Sequence, residues 1–166
     1  MFHLSCETKE DIWEVEALYD LCFGPGRQAL SSYRLREGVE PVRNLCFVVR
    51  DSAGILAGAI RYWPICVNKA DALLLGPISV HPTRQGEGLG TFLIRESLSS
   101  ALSQGWRRVV LVGDAPYYTR FGFKLLPDVQ MPPPINPNRI LGLALDLGAW
   151  DGLSCLLYTS DAADDA

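Results

Sequence analysis

An apolar run over residues 72–80 passes through His81-Pro82-Thr83-Arg84 into Gln85-Gly86-Glu87-Gly88-Leu89-Gly90, and an amphipathic segment follows at once. A strand, a glycine turn and a helix start in direct succession constrain this chain more than anything else in it. The first backbone N–H groups of a helix have no intrahelical partner and carry the positive end of its dipole, so they suit a phosphate or pyrophosphate. Glycine allows positive φ and lets a ligand approach the backbone. A plain glycine turn that merely starts a helix fits the same residues. No Lys-Ser or Lys-Thr pair follows the loop, so it is not a Walker-type phosphate loop. Gly86, Gly88 and Gly90 run G-x-G-x-G and are followed by Thr91, Phe92 and Leu93, which does not match the dinucleotide fingerprint.

A second motif lies beyond the next helix. Residues 109–112 are a short β-branched strand, Asp114 can cap a helix, Pro116 is tolerated in its first turn and Gly122 can end it. The spacing predicts a strand, a very short helix and a new strand beginning near Phe123, with Tyr118 four residues before Gly122-Phe123. Gln85, Gly88 and Gly90 stand in the fixed places of a Q/R-x-x-G-x-G/A signature. With Tyr118 and Gly122-Phe123 following in order, residues 1–150 resemble the GCN5-related N-acetyltransferases (GNAT). The Gly113-Asp114-x-x-Tyr117-Tyr118-x-Arg120-Phe121-Gly122-Phe123 form looks most like their YhbS-like branch.

The resemblance implies an α/β (α+β) GNAT fold: a mixed, mostly antiparallel sheet with a central splayed parallel strand pair and flanking helices. It implies acetyl-CoA as cosubstrate, no metal, and acetyl transfer to a primary amine by direct attack in a ternary complex. The alternative is a catalytically inactive acyl-CoA-binding sensor or scaffold. Gln85 and the backbone of Gly86, Glu87, Gly88, Leu89, Gly90 and Thr91 would hold the pyrophosphate, and Ile78, Ser79 and Val80 would bond the pantetheine arm. Tyr118 would be the general acid for the departing thiolate, or an aromatic that packs on the arm. Tyr117, Phe121 and Phe123 read as packing. Proline within a strand marks an edge or a bulge. The resemblance implies a bulge near Pro77 whose freed N–H, that of Ile78, is aimed at the thioester carbonyl; the alternative is that Gly76-Pro77 only bends a buried strand. Asp114 is a candidate base whose simpler role is the helix cap, and an ordered water could replace it. Arg84 either adds charge near the phosphates or is a surface arginine, and the Glu87 side chain is expected in solvent.

Composition sets the outer limits. The 166 residues are 48% hydrophobic and 20% charged, which fits one domain with a substantial core. A GNAT domain is expected over 1–152. The remainder, 153–166, reads as a non-native or disordered tail, in the manner of adapter read-through, with no final strand. No apolar stretch is long enough to span a membrane, and the start of the chain does not read as a secretory signal. Cys6, Cys22, Cys46, Cys66 and Cys155 are widely spaced, without C-x-x-C, and read as buried reduced thiols of a cytoplasmic protein. Two distant histidines make no metal site. Net charge −4 argues against nucleic acid and tolerates a cationic amine. The oligomeric state is open, a homodimer included.

Periodicity supplies the other elements. A helix is expected from Ile12 through Val15, Leu18, Tyr19 and Cys22 to Gly24, behind the capping-type start Thr8-Lys9-Glu10-Asp11. A shorter helix is expected over 28–36, an antiparallel hairpin over 45–50 and 55–63, a central strand over 72–80, and a late strand over 140–145. The main helix, 91–104, is expected to bury Phe92, Leu93, Leu98 and Leu102. The acceptor would meet Arg27, Arg34 or Arg36 if acidic, near the 23–27 and 131–138 loops, but no specificity motif is visible.

Overall fold

The computed structural model describes residues 1–24, 35, 36, 38–131, 136–153, 155, 156, 158 and 159. The helix expected over 28–36 lies outside them in large part, and the proline loop 132–134 and residues 160–166 lie outside them entirely. The elements are β1 (His3–Cys6), α1 (Ile12–Phe23), β2 (Phe47–Arg50), β3 (Leu56–Val67), β4 (Ala70–Val80), α2 (Leu89–Ser103), β5 (Arg108–Val112), α3 (Ala115–Tyr118), β6 (Lys124–Leu125), β7 (Val129–Gln130), β8 (Ile140–Ala144), β9 (Cys155–Leu156) and β10 (Tyr158–Thr159). The main sheet runs β1-β2-β3-β4-β5-β8-β6, with β10 added on β3. Every pairing in it is antiparallel except β4–β5. This is the expected mixed sheet.

Helices cover both faces. Along β2, Phe47 and Val49 pack towards α2, and Val48 packs towards Val15, Leu18 and Tyr19 of α1. Alternate side chains of a strand face opposite sides, so one short strand serves two helices. Gly58 lets α2 approach, because a Cβ there would stand 3.1 Å from Leu93 Cδ1. The first helix is as expected: Asp11 Oδ2 accepts from Thr8 N–H at 2.8 Å, and Gly24 ends the helix at φ 80.

Several expectations need correction. Helix α2 begins at Leu89, and its buried side is Leu89, Leu93, Ile94, Ser97 and Ala101. Phe92 and Leu102 are 39% and 54% exposed. Ser97 conceals the true stripe, since its polar side chain is buried yet satisfied by Leu93 O (2.6 Å) and Tyr62 Oη (2.7 Å). Strand β3 does not stop at Trp63 but runs through Pro64 to a two-residue turn at Asn68 and Lys69, both at positive φ. The Tyr62 carbonyl accepts from Val42 N–H and so faces away from β4. Pro64 shares that side, where its missing N–H costs the β3–β4 ladder nothing. Strand β1 had no sequence signal. Cys46 and Cys66 are buried thiols, but Cys22 is half-buried and Cys6 exposed.

The stretch after Gly152 also departs from expectation. Cys155–Leu156 pairs in parallel with β7, and Tyr158 and Thr159 pair with Cys66 and Ile65 of β3. Two-residue strands are too short to show alternation, and backbone hydrogen bonding to open edges forms them whatever the side chains. Sheet pairing therefore continues to Thr159.

Candidate active site

The centre of the sheet opens. Strands β4 and β5 pair only at Leu73↔Val109 and Leu74↔Val110. Beyond them β4 follows β3, β5 follows β8, and a gap lies between. The β3–β4 register passes from Ile60↔Ile78 to Tyr62↔Leu75, so Gly76-Pro77 on β4 faces the single residue Arg61. That is the bulge for which Pro77 is the sequence signal. Two side chains hold it: Tyr19 Oη donates to Pro77 O at 3.0 Å and Trp63 Nε1 to Gly76 O at 2.7 Å.

A groove of about 520 Å³ leaves one end of this gap. Ile78, Ser79 and Val80 line one wall, Gln85, Gly86, Gly88, Leu89, Gly90 and Thr91 another, and Tyr117, Tyr118 and Arg120 a third. Gly88 is the N-cap of α2 at φ 79, in the left-handed region, with no side-chain cap. The first intrahelical bond is made by Phe92 N–H, to Gly88 O at 3.0 Å, so the N–H groups of Leu89, Gly90 and Thr91 precede any helical acceptor. A Cβ on Gly86 or Gly88 would meet nothing within 4 Å, so the space over the loop is open. At Gly90 a Cβ would stand 3.1 Å from Tyr117 Oη. The Leu89 side chain is in the core, leaving only its backbone for the groove.

Two residues of the loop do something else. Arg84 borders the groove, but its guanidinium is committed to Asp51 Oδ2 at 2.6 Å and lies over the Phe2 ring, tying the loop to the β2–β3 turn. Glu87 does not line the groove; it is exposed, 3.8 Å from Arg84. The sequence assigns Arg120 no role. Its Nη2 donates to Thr91 Oγ1 at 2.7 Å and its guanidinium lies 4.4 Å from the Tyr117 ring centroid, which puts a cation on the groove. A cation three residues past Tyr117, on the same side of a short helical turn, was the available signal.

The other end of the gap is a cavity of about 500 Å³, bounded by Pro77, Val112, Gly113 and Asp114 and by two arginines, Arg36 and Arg139. It shares Ile78, Tyr117 and Tyr118 with the groove. Tyr118 is seated by Gly113, where a Cβ would come within 2.5 Å of its ring, and by edge contacts to Tyr117 and Phe123 at 4.9 and 5.9 Å. Burial, and secondarily Tyr117, pushes its phenol up to about 12, with Arg139 pulling the other way. Its hydroxyl makes no hydrogen bond among the described residues. Phe123 is core, as expected. Tyr117 lines both spaces. Asp114 occupies the N-cap position of α3, yet its carboxylate makes no capping bond; its carbonyl accepts from Tyr117 and Tyr118 N–H instead. The cap expected of its side chain is corrected, and the carboxylate stands exposed on the cavity wall.

Among the described residues no group of three His, Cys, Asp or Glu could hold a metal, and no helix is long and apolar enough to cross a membrane.

Residues 43–125 match the family model of the acetyltransferase (GNAT) domain. The chain is 32% identical over 113 residues to the uncharacterized N-acetyltransferase YhbS of Escherichia coli K12, a match spanning 67% of this chain and 66% of that protein's own length. The crystal structure of Escherichia coli YhbS in complex with CoA gives a TM-score of 0.82 at 26% identity, covering 98% of this chain and 92% of that one. A GNAT acetyltransferase from Brucella melitensis, solved with acetyl-CoA, gives 0.67 at 29% identity, covering 88% and 89%. The splayed strand pair, the glycine-started helix and these matches agree, and the chain belongs to the GNAT acetyltransferase family.

Proposed function

We propose that this protein is an N-acetyltransferase that moves the acetyl group of acetyl-CoA to a primary amine. One observation carries the reading: a phosphate-suited groove and a separate cavity meet at Ile78, Tyr117 and Tyr118 in the gap between β4 and β5. The residues fit such a ligand. The helix-start N–H groups and the open surface over Gly86 and Gly88 suit a pyrophosphate, and β4 offers strand-type backbone partners to an amide-bearing arm. The relatives solved with CoA and acetyl-CoA support the same ligand.

Acetyl-CoA supplies an activated thioester, and this chain's residues do the rest. In the proposal Gln85, Gly86, Gly88, Leu89, Gly90 and Thr91 hold the phosphates, with Arg120 beside them; Glu87 contributes at most its backbone. Ile78, Ser79 and Val80 hold the arm. The Ile78 N–H, behind the Gly76-Pro77 bulge, polarises the carbonyl; one such preorganised donor is typically worth about 3 kcal/mol of barrier. The amine nitrogen, neutral when it attacks, forms the new C–N bond as the C–S bond breaks. Tyr118 gives its proton to the leaving sulfur, and the amine's proton goes to water or to Asp114. A phenol held near pKa 12 arrives protonated at neutral pH, as an acid must. Chemistry of this kind and the buried thiols Cys46 and Cys66 fit the reducing cytoplasm.

Thermal-shift measurements with acetyl-CoA, CoA, ATP and NAD, followed by a thiol-release assay over pooled amines, test this. Stabilisation by the CoA species alone, together with amine-dependent thiol release, is expected. Binding without release over any amine would leave an acyl-CoA-binding sensor or scaffold, and stabilisation by ATP or NAD instead would overturn the ligand.

A further inference from the structure

Two arginines, Arg36 and Arg139, line the cavity beyond Tyr118 in a chain whose net charge is −4. Arg36 is 9% exposed, with its guanidinium 5.8 Å from the Trp63 ring centroid. The Trp63 indole is itself pinned to Gly76 O, and a Cβ on Gly76 would stand 3.0 Å from Arg36 Nη2. Arg36 is thus built against the bulge on the β4 side. Across the gap Arg139 immediately precedes β8: its carbonyl accepts from Gly113 N–H at 2.9 Å, and its charge is felt at the Tyr118 phenol. Both arginines line this cavity and neither lines the phosphate-suited groove, so they are not placed to serve the CoA phosphates. Among the described residues Asp114 is the acidic one on this cavity.

We infer that the acceptor is a small amine carrying its own carboxylate, of the amino-acid class, with the carboxylate directed to Arg36 and Arg139 and the amine to the Asp114–Tyr118 side. A guanidinium presents a planar fork that matches a carboxylate, and low exposure strengthens the pairing. Among the described lining residues Arg36 and Arg139 are the cations and Asp114 the acid, a set that suits a monoanion better than a phosphate dianion. This substrate class rests on the acetyltransferase reading above.

The test is a thiol-release comparison of matched amines with the full chain: lysine against cadaverine, ornithine against putrescine, phenylalanine against phenethylamine, and phosphoethanolamine against ethanolamine. The carboxylate members are expected to have kcat/KM at least about tenfold above their partners. Arg139→Gln, and Arg36→Lys where it folds, should raise KM for the carboxylate members by about 10- to 100-fold. KM for the partners and the Kd for acetyl-CoA should not move. A merely structural role for either arginine would leave the ratio within each pair unchanged. Preference for the amines lacking a carboxylate, preference for the phosphate, or an unchanged ratio in Arg139→Gln overturns the inference. If acetyl-CoA binds and no pair turns over, titration of the carboxylate amines into the CoA complex decides, and absence of binding overturns it. Failure to bind acetyl-CoA at all is a different result: it sinks the acetyltransferase reading, and this inference with it.

Discussion

The phenol of Tyr19 donates a 3.0 Å hydrogen bond to the carbonyl oxygen of Pro77, joining residues 58 apart in sequence in a buried contact. A buried helix side chain thereby holds the strand bulge beside the gap. Arg61 lies 5.2 Å from the Tyr19 ring centroid and pairs with Glu7 and Glu16, so the phenol is itself held in place. Tyr19→Phe keeps the ring and removes the bond. It should cost about 0.5–1.5 kcal/mol, a fall of roughly 2–6 °C in Tm, by calorimetry. It should also lower kcat more than acetyl-CoA affinity, because the bulge and not the phosphate loop loses its support. An unchanged Tm and kcat would show that Trp63 alone suffices.

Gly88 tests the groove. Its φ of 79 strains any side chain, so Gly88→Ala should lower Tm modestly. Gly88→Glu adds like charge where a pyrophosphate is proposed, and should weaken acetyl-CoA binding by at least about tenfold beyond the alanine variant. Isothermal titration reads the difference. Equal affinities in the two variants would remove the phosphate from this loop.

Tyr118→Phe should lower kcat and kcat/KM together by about 10²–10⁴-fold, with acetyl-CoA affinity nearly unchanged. Tyr117→Phe keeps the ring under Arg120 and should do little. Equal small effects from both would assign Tyr118 to packing and proton delivery to water.

The pH profile follows from the same residue. Its folded pKa, pushed by burial to about 12, is above the ordinary value of 10.0. The acid form therefore persists through the neutral range, and loss of rate through Tyr118 ionisation sets in only as pH rises above about 10. The stability linked to this shift has the same sign: full below the unfolded pKa, and lost as pH climbs through the folded one. A descending limb centred below about pH 9 that disappears in Tyr118→Phe would contradict the assignment.

Deleting 153–166 removes β9 and β10 from their partners on β7 and β3, and should lower Tm by several degrees. Deleting only 161–166, small and acidic without an apolar period, should not change it. Identical melting curves for both truncations and the full chain would return the whole segment to the status of a dispensable tail.

What the sequence by itself determined is what short-range backbone chemistry encodes. Positive φ at Gly88 and Gly122, the Thr8-Asp11 start, the β-branched run of β5 and the proline at the bulge are each set within a few residues, so they were legible. Which groups meet depends on register, and no local pattern carries register. Only the tertiary structure decided that β4 and β5 part after Leu74 and Val110 and that Tyr117 and Tyr118 wall two spaces. It alone paired Arg84 with Asp51, left the Asp114 carboxylate uncapping, and put Ser97 rather than the apolar Phe92 and Leu102 in the buried stripe. Arg36 and Arg139 are 103 residues apart in the numbering (139 − 36), and it is the bulge and the splay of two strands that set them on one cavity.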